Sequence, residues 1–373
     1  MALLAVGVVA MAPGHGSMLL PPPRNAIDAE LPAWANASHP MTGTIEPYNC
    51  RCTNGTSPCA NGQACFWFSQ GCTVGCARCD GNGSRIPNWD HCPGEGLNMT
   101  HPGRLLKQYW TANQNALVGS VADVFKHNPW RAPGLAPVSD PCGMAGGVPV
   151  ESFNAAAYNA TPHAKQGDLG SVVLPKRPTG TVWRRGRNAT VRWQQTADHG
   201  GGYQYRLCPA DQQLTEACFQ QTPLKFTNSH HWLRFADPTL DRAIPATVVA
   251  AGGGLGWMRY PIPPRFATCD YVVVPPAHCE YKCPGCGAPK FAADSACPAT
   301  SCADYYPGTP RDVAAVPEIF PDPVPGMDMH AYAIEDTVEV PFSVPPGEYV
   351  VGWRWDCEQT TQIWQSCADI TVV

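Results

Sequence analysis

The chain has 373 residues, a net charge of −5 and only 15% charged side chains. It is long enough for one or two full hydrophobic cores, and it carries no basic stripe of the kind that engages nucleic acid. Its 40 prolines and 35 glycines, about a fifth of the chain, call for many turns, and its 19 cysteines argue against a reducing compartment.

Residues 2–12, ALLAVGVVAMA, are uninterrupted apolar and too short to span a bilayer. They read as the core of a secretory signal, although no lysine or arginine precedes them. Ala12 and Gly14 are the small residues a signal peptidase accepts, so cleavage before His15 is expected, leaving 1–14 as the signal. No later stretch is long enough to cross a membrane. Six N-x-S/T sequons, at Asn36, Asn54, Asn82, Asn98, Asn159 and Asn188, agree with export and glycosylation.

Residues 15–49 are polar and broken by proline. Residues 50–92 hold eight cysteines among Gly and Asn and read as a disulfide-stapled insertion without a sizeable core. One short helix is expected within 103–127, and 128–178 reads as loop. From about 179 the pattern changes to short strands. Val182 and Trp183, Thr190 to Trp193, and Tyr203, Tyr205 and Leu207 are β-branched, aromatic or alternating, and turn residues separate them. A further strand is expected in 255–264, a second cysteine-rich insertion at 265–325, and strands again in DTVEVPFSVPPGEYVVGWRWDC and IWQSCADITVV. Short strands without a βαβ rhythm predict an all-β fold: an immunoglobulin- or fibronectin-III-like antiparallel β-sandwich with long disulfide-stapled loops.

An odd cysteine count leaves at least one thiol outside any intrachain pair. Spacing suggests Cys208 with Cys218 and Cys357 with Cys367. The C-x-x-C steps Cys76 to Cys79 and Cys283 to Cys286 read as disulfide framework before zinc or redox sites.

If the mature chain begins at His15, its free amine and its imidazole sit on one residue and can chelate a metal, displacing the amine proton. One more imidazole completes a three-nitrogen set suited to copper. Of the other histidines, the His230–His231 doublet reads as a solvated loop. His39, His91, His101, His127, His163, His278 and His330 lie in loop-like contexts. His199 differs, because it ends a strand and precedes Gly200, Gly201 and Gly202. It is either an exposed ligand or a hydrogen-bonded turn histidine.

Three segments occur in order: HGSMLLPPPRN from His15, TADHGGGYQYRLCP around His199, and QIWQSCADITVV near the end. Together they resemble the lytic polysaccharide monooxygenases, nearest the pattern of auxiliary-activity family fifteen. The resemblance covers about a third of the chain and leaves out both insertions and residues 93–178. It implies one copper ion held by the amine and ring of His15 and the ring of His199, a histidine brace, with residues 15–373 as a single catalytic domain. Ala197 would be the small residue lining the axial face. Tyr203 and Tyr205 would pack. Counting back five residues from Asp369 puts Trp364 at the axial position, where the family carries Tyr or Phe. Gln362 would be a polar neighbour of the bound oxygen species or else a surface glutamine.

The implied activity is secreted, copper-dependent oxidative cleavage of an insoluble β-linked polysaccharide, chitin or cellulose, at C1 or C4. It would use an external electron donor with dioxygen or hydrogen peroxide, in a monomer without nucleic-acid or membrane partners. Trp34, Phe66, Trp67, Phe68, Trp89 and Trp130 are candidates for sugar stacking or for the core. A non-catalytic copper- or polysaccharide-binding protein on the same fold is the alternative, and Trp364 keeps it open.

Overall fold

The computed structural model describes residues 16–30, 66–70, 128–149, 158, 160–195, 200–235, 238–249, 256–261, 332–358 and 362–373. The strands are β1 (Gly16–Leu20), β2 (Trp67–Gln70), β3 (Met144–Ala145), β4 (Val182–Trp183), β5 (Asn188–Gln195), β6 (Gly202–Pro209) and β7 (Lys225–Phe226). They continue with β8 (His230–Phe235), β9 (Arg242–Pro245), β10 (Val248–Val249), β11 (Trp257–Arg259), β12 (Tyr332–Glu339), β13 (Gly347–Asp356) and β14 (Gln362–Val372).

These strands form the two layers of an all-β sandwich. One sheet runs β1-β5-β12-β8-β9, with β7 also on β12. The other runs β10-β11-β6-β13-β14-β2-β3, with β4 on β14. Every named pair is antiparallel except β4 with β14.

Alternation along each strand sets the core. In β5, Ala189, Val191 and Trp193 are buried while Asn188 and Thr190 are exposed. Trp193 reaches across to the facing sheet and meets Tyr203, Trp353 and Trp355 at centroid distances of 4.8, 4.9 and 5.0 Å. Such ring pairs add about 0.5–1.5 kcal/mol each beyond the area they bury.

The described part of the first cysteine-rich insertion, residues 66–70, belongs to this core. Its residues Trp67–Gln70 form β2, which pairs with β14 and β3 and buries Trp67 and Phe68 completely. Trp130 is buried too, so none of these three is a surface for sugars; Phe66 is half-buried, and Trp34 and Trp89 lie outside the described residues. In 255–264 only Trp257–Arg259 is strand among the described residues. The helix expected within 103–127 and the insertion at 265–325 lie outside them.

Cys208 and Cys218 are bonded, as their spacing suggests. Cys367 is not bonded to Cys357; its partner is Cys142. The reason is the ladder between β13 and β14. Cys367 stands opposite Gly352, five residues before Cys357, a separation of about 17 Å at strand rise. A disulfide needs α-carbons within about 7 Å. Cys142 instead comes in over the outer face, beside Cys208, Cys218 and Phe219.

Candidate functional site

The two ends that the motifs single out lie side by side. Gly16 at the start of β1 pairs with Gln195 at the end of β5. The chain returns at Gly200, whose carbonyl accepts the indole N–H of Trp355 at 2.8 Å. The same indole closes on Gly16, where a Cβ would lie 3.1 Å from its six-membered ring. Trp355 thus touches the residue that follows His15 and the residue that follows His199. His15, Ala197 and His199 themselves lie outside the described residues, and among the described residues no three His, Cys, Asp or Glu side chains gather to hold a metal.

The glycine run is dictated by crowding. Gly201 has φ +82°, and a Cβ there would sit 2.0 Å from the Asp356 carbonyl oxygen. Its own carbonyl accepts the backbone N–H of Tyr260 at 2.9 Å. Only glycine combines that backbone conformation with that approach.

Beneath this corner, Trp364 stands opposite Trp355 in the β13–β14 ladder, fully buried, and stacks on Phe68 with centroids 4.3 Å apart. Gln362 opens β14 and is buried, which removes the surface reading of this glutamine. Its carbonyl accepts the backbone N–H of Cys357 at 3.2 Å.

β1 is pinned to β14 by its own motif residues. Arg24 makes a two-pronged pair with Asp369, Nε to Oδ2 at 2.9 Å and Nη2 to Oδ1 at 2.6 Å. The backbone N–H of Arg177 also donates to Asp369. Ser366 Oγ accepts the backbone N–H of Met18, and Asn25 donates to Ser17 Oγ. The arginine of PPPRN and the aspartate of CADI therefore tie the segment that follows β1 to β14.

One cluster of paired charges lies on the outer face of the larger sheet. Glu216, from the helix Glu216–Gln220 capped by Thr215, is bound by Arg206 and by Arg354, the latter at 2.7 Å. Arg354 also pairs with Asp356, whose Oδ2 accepts the Gly134 N–H. Burial alone would raise the Glu216 carboxyl, but the two guanidiniums hold it down at about 2. Asp140 behaves oppositely. Burial lifts it to about 6 even though the Ser171 hydroxyl and the backbone N–H groups of Ser171 and Cys142 favour its charged form.

A second polar cluster is hidden in the sequence. His231 is not solvated: it lies in β8, fully buried, with Nδ1 2.7 Å from Asp336 Oδ1. Asp336 also accepts from Tyr203 Oη at 2.5 Å and Asn228 Nδ2 at 2.7 Å. Tyr203 therefore packs and also hydrogen-bonds. Burial, then the nearby Asp336 carboxylate, push its phenol well above the usual value. The signal lies in HHWLRF, where His231 and Leu233 share one face of an alternating strand.

No protein-family model matches the chain, and no curated protein matches it in sequence. Among solved structures it is similar to an AA10 lytic polysaccharide monooxygenase from Streptomyces lividans, at 14% identity, covering 53% of this chain and 60% of that one, TM-score 0.21. It is similar to lytic polysaccharide monooxygenase AA15 from Thermobia domestica at 14% identity, covering 52% and 62%, TM-score 0.23. It is also similar to a chitin binding domain from Burkholderia pseudomallei at 10% identity, covering 97% and 100%, TM-score 0.32. The chain thus spans about 60% of the length of the first two. Among the described residues no helix is long and apolar enough to cross a membrane.

Proposed function

We propose that the chain is a secreted copper-dependent monooxygenase acting on an insoluble β-linked polysaccharide, with residues 1–14 removed and residues 15–373 working as one monomeric catalytic sandwich. One observation carries this reading: Gly16 and Gly200 meet on the same indole, Trp355. Covalent geometry keeps the α-carbons of His15 and His199 each about 3.8 Å from those glycines. One amine and two imidazoles make a donor set that fits copper.

In this reading the amine and ring of His15 and the ring of His199 hold the metal. Copper, when bound, supplies one-electron chemistry with an external donor and dioxygen or hydrogen peroxide. The protein's part is orientation. Trp355 anchors both flanking glycines, and the Arg24–Asp369 pair ties the segment just after β1 to β14. Trp364 closes the core side of the corner with an apolar ring and Gln362 is buried two residues before it on β14, while Ala197 would be the small residue beside the metal that the family resemblance implies. The substrate is chitin or cellulose, oxidised at C1 or C4.

The indole at 364, in place of Tyr or Phe, favours a second reading in which the same donor set binds copper without turnover. Both are tested on secreted protein whose first residue is established by mass spectrometry. Copper titration followed by electron paramagnetic resonance is expected to give a single type 2 signal, lost in His199→Ala. A chain beginning elsewhere, or a signal unchanged in that variant, overturns the copper reading. Ascorbate-driven release of oxidised oligosaccharides selects the enzyme; copper binding without release selects the second reading.

A further inference from the structure

We propose that the outer face of the six-stranded sheet is a second glycan-binding surface, centred on Trp232 and separate from the corner at Trp355. Trp232 is in mid-strand on β8, yet 41% of it is exposed, and it stands opposite Glu335 of β12. Glu335 stands opposite Arg192 of β5, and Ala243 of β9 lies on the other side of Trp232. Arg192, Glu335, Trp232 and Ala243 therefore form one row across four adjacent strands, about 14 Å wide at ordinary strand spacing.

The indole is held before any ligand arrives. Arg234 lies over it, 4.6 Å from the ring centroid. That guanidinium is itself fixed by Glu335, at 2.6 Å, and by Asp241, at 2.8 Å. Glu335 is shared with Arg192. Little side-chain freedom is left to lose on binding, which favours a weakly interacting partner.

The chemistry of the row selects the partner. Arg192 and Arg234 in and beside the row are paired with Glu335 and Asp241, so among these four no charge of one sign is left over to draw a polyanion or an acidic membrane. It is not an apolar patch either, since a single large ring is set among Arg234, Glu335 and, one strand further, Arg192. Arg192 uses only its Nε in the pair with Glu335, leaving further N–H donors. A flat ring rimmed by hydrogen-bonding groups fits a neutral pyranose chain, which has an apolar C–H face and a hydroxyl edge.

This inference does not rest on copper. The full chain, stripped of metal with a chelator, is tested for retention on insoluble chitin and cellulose and for fluorescence change with chitohexaose and cellohexaose. Expected is binding by the parent, about tenfold weaker binding by Trp232→Ala, and intermediate binding by Trp232→Phe. Phe342→Ala, an exposed aromatic outside this sheet face, is expected to bind like the parent. Equal retention of parent and Trp232→Ala overturns the proposal. So does a parent that binds neither glycan, or one that binds only heparin or anionic lipid vesicles. The copper signal of Trp232→Ala is read separately, so failure of this surface is distinguishable from failure of the copper site.

Discussion

Trp355 donates its indole N–H to the carbonyl oxygen of Gly200 across 2.8 Å, while its ring rests on Gly16. Replacing Trp355 with Phe keeps a ring but removes the donor. The buried carbonyl then lacks this partner, at a cost of about 1–3 kcal/mol. Copper affinity, measured by calorimetry on the mature chain, is expected to fall at least tenfold. Unchanged affinity in a folded Trp355→Phe protein would show that the indole does not position the ligands.

Two glycines with similar backbone angles separate strain from crowding. Gly180, at φ +71°, has nothing within 4 Å of where a Cβ would stand, so Gly180→Ala is expected to lose only the backbone penalty of about 1–2 kcal/mol. Gly201, at φ +82°, faces the Asp356 carbonyl. Gly201→Ala should therefore cost clearly more, and denaturant midpoints of the two variants measure the difference. Equal costs would contradict the close approach at the site corner.

Acid stability should reflect two carboxyls of opposite sign. Glu216, ordinarily 4.5 and about 2 when folded, contributes fully above pH 4.5 and loses its contribution as pH falls toward 2. Asp140, ordinarily 3.8 and about 6 when folded, favours the folded state fully below about 3.8 and loses that contribution as pH rises through 6. A change of that size in either carboxyl corresponds to about 3 kcal/mol. Unfolding curves from pH 3 to 8 should therefore flatten between 4 and 6 in Asp140→Asn. Glu216→Gln should lose the dependence below 4.5 and be weaker by about 3–5 kcal/mol at neutral pH, because Arg206 and Arg354 would lose their shared partner.

The bond between Cys142 and Cys367 joins residues 225 apart. Cys142→Ser is expected to cost about 2–5 kcal/mol, read as a fall in unfolding midpoint under oxidising conditions. Cys208–Cys218 closes a short loop, separation 10, and its loss should matter less in the chain-entropy picture. The reverse order would mean that native-state packing around Cys208 outweighs loop entropy.

Much of the sandwich was legible where one face of a strand is wet. Ala189, Val191 and Trp193 alternate with polar residues, and β5 follows directly. β2 was not legible, because Trp67 and Phe68 are set among cysteines and glycines and are recruited by β14 only through tertiary pairing. His231 is deceptive because adjacent histidines look polar, yet a strand turns one inward and the other out. The spacing of Cys357 and Cys367 misleads because ten residues imply proximity only if the turn is tight, and here a ladder rung intervenes. For the corner proposed to hold copper, the motif residues stand in the sequence, and the meeting of Gly16 and Gly200 on Trp355 emerges only in three dimensions.

The pairing of Arg24 with Asp369 spans 345 residues. A ribosome delivers the arginine long before the aspartate, and β1 has no partner on β14 until synthesis has almost reached residue 369. Seating β1 against β14 therefore depends on contacts of very high sequence separation, the regime that slows folding. Translation errors or truncations in the closing strand would reach the opening one with full force.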